Sequence, residues 1–558
     1  MQFSSPIDGK VLLVNFAGHI ITGDTFIPDS SLAGLAAVLK RKGTPVEVLD
    51  FQSPADIGSL LDGESEVANA VWKNWATGEA VSPPLYSQYS QAQHRGLRRL
   101  GDKILSRLSD HCLREEISAI GFKLWIGNGL AECLRVAEAL RHRFPNLLLL
   151  AGGPAIRYAE ESFFRRSRAF DYLVYGEGER ALVDILEGRG ETAPGVIYLK
   201  GQQIIKTPGT GEYSLDSLPI GTFDEQTYPG ASTFFKVRVI DDSRGCFNKC
   251  SFCSHTYFNG VTRKRSPACI AEAMERFQRE EGVSYFRLAG SNPPWKFLIS
   301  LAKEITKRRL QISYSAFASM NNITTAELPL LSASGLRALF FGIESGDPIF
   351  LKRIHNKNNI SPTHIVEVIQ AAMKANIFAC LSFIIPSPFE TDATRNASFE
   401  LIQRSFEQDQ LGSALILPAC LGPGTDWWNR MDHYGFKLRE DTCKETYFSD
   451  LLDWDSSLLM PRTNLKDLGF TLNGKSCAQL FEESGAFIQR LHDAHLPTNL
   501  NDAAYLVALM GGMDGPTYLR EITGTLVQCG SRSTSDFVDR VNRHPRLFQE
   551  NPTQGNRL

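Results

Sequence analysis

Short β-branched apolar runs alternate with amphipathic helical segments twice along this chain, once on each side of a turn-rich stretch. That alternation constrains the fold more than any other feature, because strand–helix repeats with short links imply parallel sheets covered by helices. In the first block, strands are predicted at Lys10–Phe16, Val46–Phe51, Ile117–Phe122, Leu147–Ala151 and Asp171–Tyr175. Helices are predicted at Ser30–Arg41, Ala131–Arg143 and Arg180–Glu187. Residues 55–110 read as irregular and polar, becoming helical from Ala92 to Leu108. In the second block, strands at Phe235–Ile240, Tyr285–Leu288, Ile312–Phe317, Ala338–Ile343, Ala379–Ile385 and Ser413–Leu417 frame helices at Pro267–Glu281, Lys296–Arg308 and Pro362–Lys374. Sheets of this kind bind ligands at the carboxyl ends of their strands.

The second block carries the chemistry. Its first strand runs into Arg244-Gly245-Cys246-Phe247-Asn248-Lys249-Cys250-Ser251-Phe252-Cys253. Three thiolates in one tight loop can hold three irons of a 4Fe–4S cluster and leave the fourth iron without a protein ligand, whereas clusters used only for electron transfer are usually closed by four cysteines. A structural zinc site would want a fourth Cys or His, often from a second closely spaced pair. The other eight cysteines are scattered singly, and His255, two residues past Cys253, is cramped for that role.

The CxxxCxxC spacing, with an aromatic just before the last Cys, resembles the radical S-adenosylmethionine (radical SAM) family. The resemblance extends over roughly residues 8–425. It implies that Cys246, Cys250 and Cys253 are the cluster ligands, that the open iron holds the methionine end of S-adenosylmethionine, and that Phe252 packs near the adenine. On the same resemblance Gly290, Ser291 and Asn292 lie near the methionine amino group, Ser315 near the ribose, and Glu344, in Gly342-Ile343-Glu344-Ser345-Gly346, on the cofactor side. The fifth strand departs from the family: Ile385-Pro386-Ser387-Pro388-Phe389-Glu390-Thr391 lacks both glycines of Gly-x-Pro-Gly-Glu-Thr.

In the first block, Gly152-Gly153-Pro154 and Gly176-Glu177-Gly178-Glu179 follow the fourth and fifth strands. Their order looks like the cobalamin-binding domain that precedes many radical SAM barrels. The residues this implies along the cofactor are His19, Thr22, Trp125, Asn128, Gly152, Gly153, Gly176 and Glu177. The mutase-type Asp-x-His-x-x-Gly, whose His ligates cobalt, is absent.

The expected fold is therefore α/β: a Rossmann-like cobalamin-binding domain (8–190), a linker with a hairpin (191–233), a partial (β/α)6 radical SAM barrel (234–428) and a mostly helical C-terminal domain (429–558). The implied cofactors are a 4Fe–4S cluster, S-adenosylmethionine and cobalamin. The implied reaction is methyl transfer through methylcobalamin to an unactivated carbon, or to phosphinate phosphorus, of a small molecule. An external electron donor such as flavodoxin or ferredoxin is expected. Rival readings are radical cyclisation or rearrangement without methylation, and a cluster-bearing redox or sensor protein. Tyr447 is the one candidate for a catalytic side chain, from an aromatic-rich stretch that equally suits core packing.

Composition excludes little. A net charge of −3 without a long basic run disfavours nucleic acid as partner. No apolar run reaches the length of a membrane span. The N-terminus lacks a basic-then-apolar leader, and eleven cysteines without a regular framework suit a reducing cytoplasm.

Overall fold

The computed structural model describes residues 6–16, 25–76, 81–209, 214–290, 292–320, 323–357, 360–453, 468–528 and 530–544. The first sheet contains β1 (Lys10–Asn15), β2 (Val46–Asp50), β3 (Ile117–Lys123), β4 (Leu148–Gly152), β5 (Tyr172–Val174), β6 (Val196–Lys200) and β7 (Gln203–Lys206), in the order β2-β1-β3-β4-β5-β6-β7. The first five strands are parallel; β6 and β7 are antiparallel. Period-2 alternation sorts each strand between two faces. Val11 and Leu13 pack with Leu32, Ala36 and Leu39 of the Ser30–Arg41 helix. Leu12 and Val14 pack with Leu97, Leu100 and Ile104.

Two expectations are corrected here. The hairpin assigned to a linker belongs to the sheet: β6 pairs with β5, since Tyr172–Val174 would otherwise be an exposed edge. The stretch read as irregular contains helices Ser65–Ala76 and Pro83–Arg114. The second is 32 residues long and covers one face of the sheet. Its polar outer side masked the apolar stripe that does the covering.

The second sheet is built from β8 (Val237–Ile240), β11 (Tyr285–Leu288), β12 (Ser313–Ala318), β13 (Leu336–Glu344), β14 (Phe378–Ile384) and β15 (Gly412–Leu417). All six are parallel and neighbour one another in chain order. A two-residue ladder, β9 (Ser243–Arg244) with β10 (Arg263–Lys264), closes the base of the cysteine loop.

The segment between the two sheets is core, not spacer. Phe223 stacks on Tyr228 and meets Phe277 edge-on at 5.9 Å, joining the apolar cores of both sheets. The C-terminal segment is mostly helical, as expected, and is also packed into the rest of the fold. It contributes a small sheet, β16 (Phe436–Leu438), β17 (Phe470–Leu472) and β18 (Lys475–Ser476). Its helix Asp502–Met510 packs against β11 to β14, with Tyr505 stacked on Phe378 at 4.2 Å. Helix Ser531–Arg543 returns to the helix Pro54–Gly58 of the first domain. Among the described residues no helix is long and apolar enough to cross a membrane.

Candidate active site

Cys246, Cys250 and Cys253 lie on the loop between β9 and β10, beyond the carboxyl end of β8. All three are half-buried free thiols. Burial pushes Cys250 up to about 11 and raises Cys253 as well; Cys253 and Cys246 add to the rise at Cys250, and Cys246 to that at Cys253. Buried thiols this close become thiolates when a cation takes the place of their protons. Their spread tells which kind. A lone tetrahedral zinc ion brings its sulfurs to about 3.8 Å of one another. The three sulfurs do not gather with one another within 4.8 Å. That spacing does not match one tetrahedral ion, and three thiols from one loop are the donor set of a 4Fe–4S cluster with one open iron.

The backbone N–H of His255 donates to Cys253 Sγ at 3.4 Å. Behind the loop, Ser251 N–H donates to His355 O at 3.1 Å. The Phe252 ring sits against His355 (5.4 Å) and Trp427 (5.8 Å), packing the loop onto the C-terminal segment. Glu344 ends β13 with a φ of 68° and accepts from Lys357 Nζ at 2.8 Å; Lys357 also donates to Gly342 O at 2.6 Å. Burial opposes the Lys357 charge, but Glu344 and the thiols Cys250 and Cys253 raise its pKa overall.

At the end of β8, Asp242 is fully buried and accepts the Gly290 N–H at 2.5 Å. Burial pushes Asp242 up to about 7, against that hydrogen bond. Asn292 is half-buried just past β11, and Ser291 lies outside the described residues. Ser315, expected near the ribose, is fully buried and donates to Asp502 Oδ2 at 2.8 Å, so its hydroxyl is committed to the C-terminal helix. Tyr447 is 2 % exposed and stacks on Trp428 at 5.1 Å, in the apolar core of the C-terminal segment.

The glycine-rich strand ends face the cysteine loop across a cavity of about 480 Å³. Trp125, Gly152, Gly153, Gly176 and Glu177 line it on one side, and Ser243, Arg244, His255 and Asn259 on the other. Gly153 has a φ of 97°, and a Cβ there would meet Leu124 O at 2.9 Å, so the wall stays bare backbone. Such a wall suits a large flat ligand. Below it, Trp125 Nε1 donates to Asn15 Oδ1 (2.8 Å) and Asn15 Nδ2 to Asp50 Oδ1 (2.8 Å). The Tyr228 hydroxyl also donates to Asp50. Burial, then the Asp29 charge, raises Asp50 to about 6. Lys123 pairs with Asp29 and stands 4.4 Å from the Trp125 ring centroid. Asn128 is half-buried outside this lining, and His19 and Thr22 lie outside the described residues.

Sequence reasoning missed Arg244, Arg263, Glu179, Asp242 and Lys357. The signal for Arg244 was its place next to Gly245-Cys246; the others are joined only by long-range pairs.

Comparison with known proteins follows this geometry. Residues 240–402 match the Radical SAM superfamily. The uncharacterized methyltransferase PH0819 of Pyrococcus horikoshii is 26% identical over 314 residues, 54% of this chain and 66% of that protein. The anaerobic magnesium-protoporphyrin IX monomethyl ester cyclase of Synechocystis sp. is 25% identical over 331 residues, 57% of this chain and 64% of that one. Each match thus spans slightly under two thirds of the relative's length. The structure of the radical S-adenosylmethionine methyltransferase TsrM from Kitasatospora setae, with cobalamin and a [4Fe-4S] cluster bound, superposes with a TM-score of 0.64 at 14% identity, covering 94% of this chain and 99% of that one.

The three-thiol loop at the end of the first strand of the six-stranded parallel sheet lies inside residues 240–402, the segment that matches the Radical SAM superfamily. The chain's fold is that of the members that set a Rossmann-like domain before the catalytic sheet, as in TsrM.

Proposed function

We propose that this chain is a cobalamin-dependent radical SAM methyltransferase acting on a small-molecule substrate, at carbon or phosphinate phosphorus. One observation carries the reading: the bare-backbone strand ends of one sheet line a cavity whose other side is formed by Ser243 and Arg244, at the base of the three-thiol loop, and by His255 and Asn259, just past Cys253. When bound, the cluster supplies the electron that cleaves S-adenosylmethionine, and the corrinoid supplies a methyl carrier.

The chain's own residues position these groups. Cys246, Cys250 and Cys253 would hold three irons of the cluster and leave the fourth for S-adenosylmethionine. Gly290 and Asn292, just past β11, and Glu344, at the end of β13, are the strand-end residues that would face the methionine end of S-adenosylmethionine. Gly152, Gly153 and Gly176 let a flat macrocycle lie against backbone, while Trp125 and Lys123 form the floor beneath it. His255 and Asn259, on the cysteine loop, line that cavity, and the His255 N–H donates to Cys253 Sγ. The fully buried Asp242 fixes the Gly290 backbone. Electrons come from an external one-electron donor of the flavodoxin or ferredoxin kind.

A second reading has a specific observation behind it: a cyclase matches this chain about as well as a methyltransferase does. In that reading the same sites serve cyclisation or rearrangement. Anaerobically reconstituted protein, given S-adenosylmethionine with a labelled methyl group and candidate substrates, separates the two. Labelled product with S-adenosylhomocysteine supports methyl transfer. Unlabelled product with 5′-deoxyadenosine supports cyclisation. Neither 5′-deoxyadenosine nor S-adenosylhomocysteine under any condition contradicts both.

A further inference from the structure

The cysteine loop leaves the protein body at Gly245 and returns at Thr262, and its neck is the β9–β10 ladder. In that ladder Arg244 and Arg263 are directly opposed. Two like charges facing each other across an antiparallel pair are destabilising. Both guanidinium groups converge instead on one carboxylate from the other domain. Arg244 Nη1 stands 3.1 Å from Glu177 Oε2, and Arg263 Nη1 donates to the same oxygen at 3.2 Å while its Nη2 pairs with Oε1. The Glu177 side chain is 7 % exposed. Glu179 and Asp241 take the remaining edge of Arg244, at 2.6 and 2.8 Å.

The neck has no slack. Gly245 has a φ of 77°, and a Cβ there would lie 2.2 Å from Val261 O. On the other side, Glu177 sits between Gly176 and Gly178, all three on the cavity wall. The turn's backbone is held at one end, where Gly176 N–H donates to Gly195 O at 3.1 Å, and beyond it the Glu177 side chain is what reaches across to the neck.

We propose that Glu177 is a positioning residue coupling the two cofactor sites, its carboxylate pinning the neck of the cysteine loop to the wall of the corrinoid cavity. This rests on the functional reading above. Filling the cavity orders the turn, the turn orders the neck, and the neck orders the three thiols. By linkage the effect is reciprocal: a loaded cysteine loop tightens binding in the cavity by the same factor.

The test is a ratio of affinities. Hydroxocobalamin binding is measured by absorbance on full-length protein with the cluster reconstituted and on the same protein freed of iron. Wild type is expected to bind about 5- to 150-fold more tightly when the cluster is present, the usual range for coupled sites. In Glu177→Gln the ratio falls to near one while cobalamin and iron both still bind. Glu179→Gln, which removes only the second partner of Arg244, lowers the ratio less and stands in if Glu177→Gln does not fold. A residue that merely supports the fold lowers the melting temperature and leaves the ratio alone. Cobalamin binding with a wild-type ratio of one, or an unchanged ratio in the folded variants, overturns this inference alone. Wild type that binds no cobalamin overturns the functional reading and this inference with it.

Discussion

The two parallel sheets share an architecture and differ in how they finish their strands. The first sheet ends in backbone: Gly152, Gly153, Gly176 and Gly178 expose peptide groups and little else to the cavity. The second ends in thiol and carboxyl side chains: Cys246, Cys250, Cys253, Asp242 and Glu344. A bare wall selects by shape and can hold a large flat group without bonding to it. A wall of thiols and carboxylates selects by coordination. On the proposed function, the difference teaches that the first sheet serves as a seat and the second as a reaction centre, with Glu177 and Arg244 paired between them.

The sharpest way to break this comparison is Cys250→Ala. The variant is expected to lose the cluster's visible absorption and all 5′-deoxyadenosine formation. It should still bind cobalamin as tightly as iron-free wild type does. Loss of cobalamin binding altogether would mean that the sheets are not separate seats. The reciprocal change is Gly152→Leu. Its backbone leaves room for a Cβ, with Val174 O 3.6 Å away, so the longer side chain enters the cavity rather than the core. Overfilling of 1–3 kcal/mol corresponds to a loss of cobalamin affinity of up to about 100-fold. Iron content per chain, measured on the same sample, should stay unchanged.

A smaller effect separates buried from surface charge. Lys357→Met strands the Glu344 carboxylate, whose side chain is 7 % exposed, beside the thiols. Breaking a buried pair on one side costs about 3 kcal/mol, to be read from urea unfolding. Lys200→Met, which breaks an exposed pair with Glu191 on the first sheet's hairpin, should leave the midpoint where it is. The subtlest is a pH slope. Asp242 is raised from 3.8 to about 7 in the fold, so the native state holds its proton where the unfolded chain has released it. Its contribution is fully present below pH 4 and is lost progressively as the pH rises towards 7. Melting temperatures of wild type should therefore fall more steeply over that range than those of Asp242→Asn.

The local parts of this fold were legible. Helices Ser30–Arg41, Pro267–Glu281 and Pro362–Lys374 start and stop where caps, Pro and periodicity place them. The strand Tyr285–Leu288 and the cysteine spacing were equally plain. What escaped is long-range. Pro83–Arg114 reads as polar until the sheet it covers is known. β6 and β7 read as a free hairpin because nothing in Val196–Lys206 names β5 as its partner. Ser315 looked free at a strand end until Asp502, 187 residues on, took its hydroxyl. Glu177 looked like one more residue of a glycine turn, because its partners Arg244 and Arg263 lie in another domain. Local patterns report helix faces and turns; ion pairs across domains leave no periodic trace.

The central claim is that the proposed cluster site and corrinoid seat are neighbours, with His255 and Asn259 lining the seat next to the three thiols. Electron paramagnetic resonance on protein holding both cob(II)alamin and the reduced cluster tests it most directly. The account predicts mutual dipolar broadening of the two signals, a shift of the cluster signal on adding S-adenosylmethionine, and a narrow cobalt signal in Cys250→Ala. A spectrum that is the plain sum of two isolated centres, unmoved by S-adenosylmethionine, would contradict it.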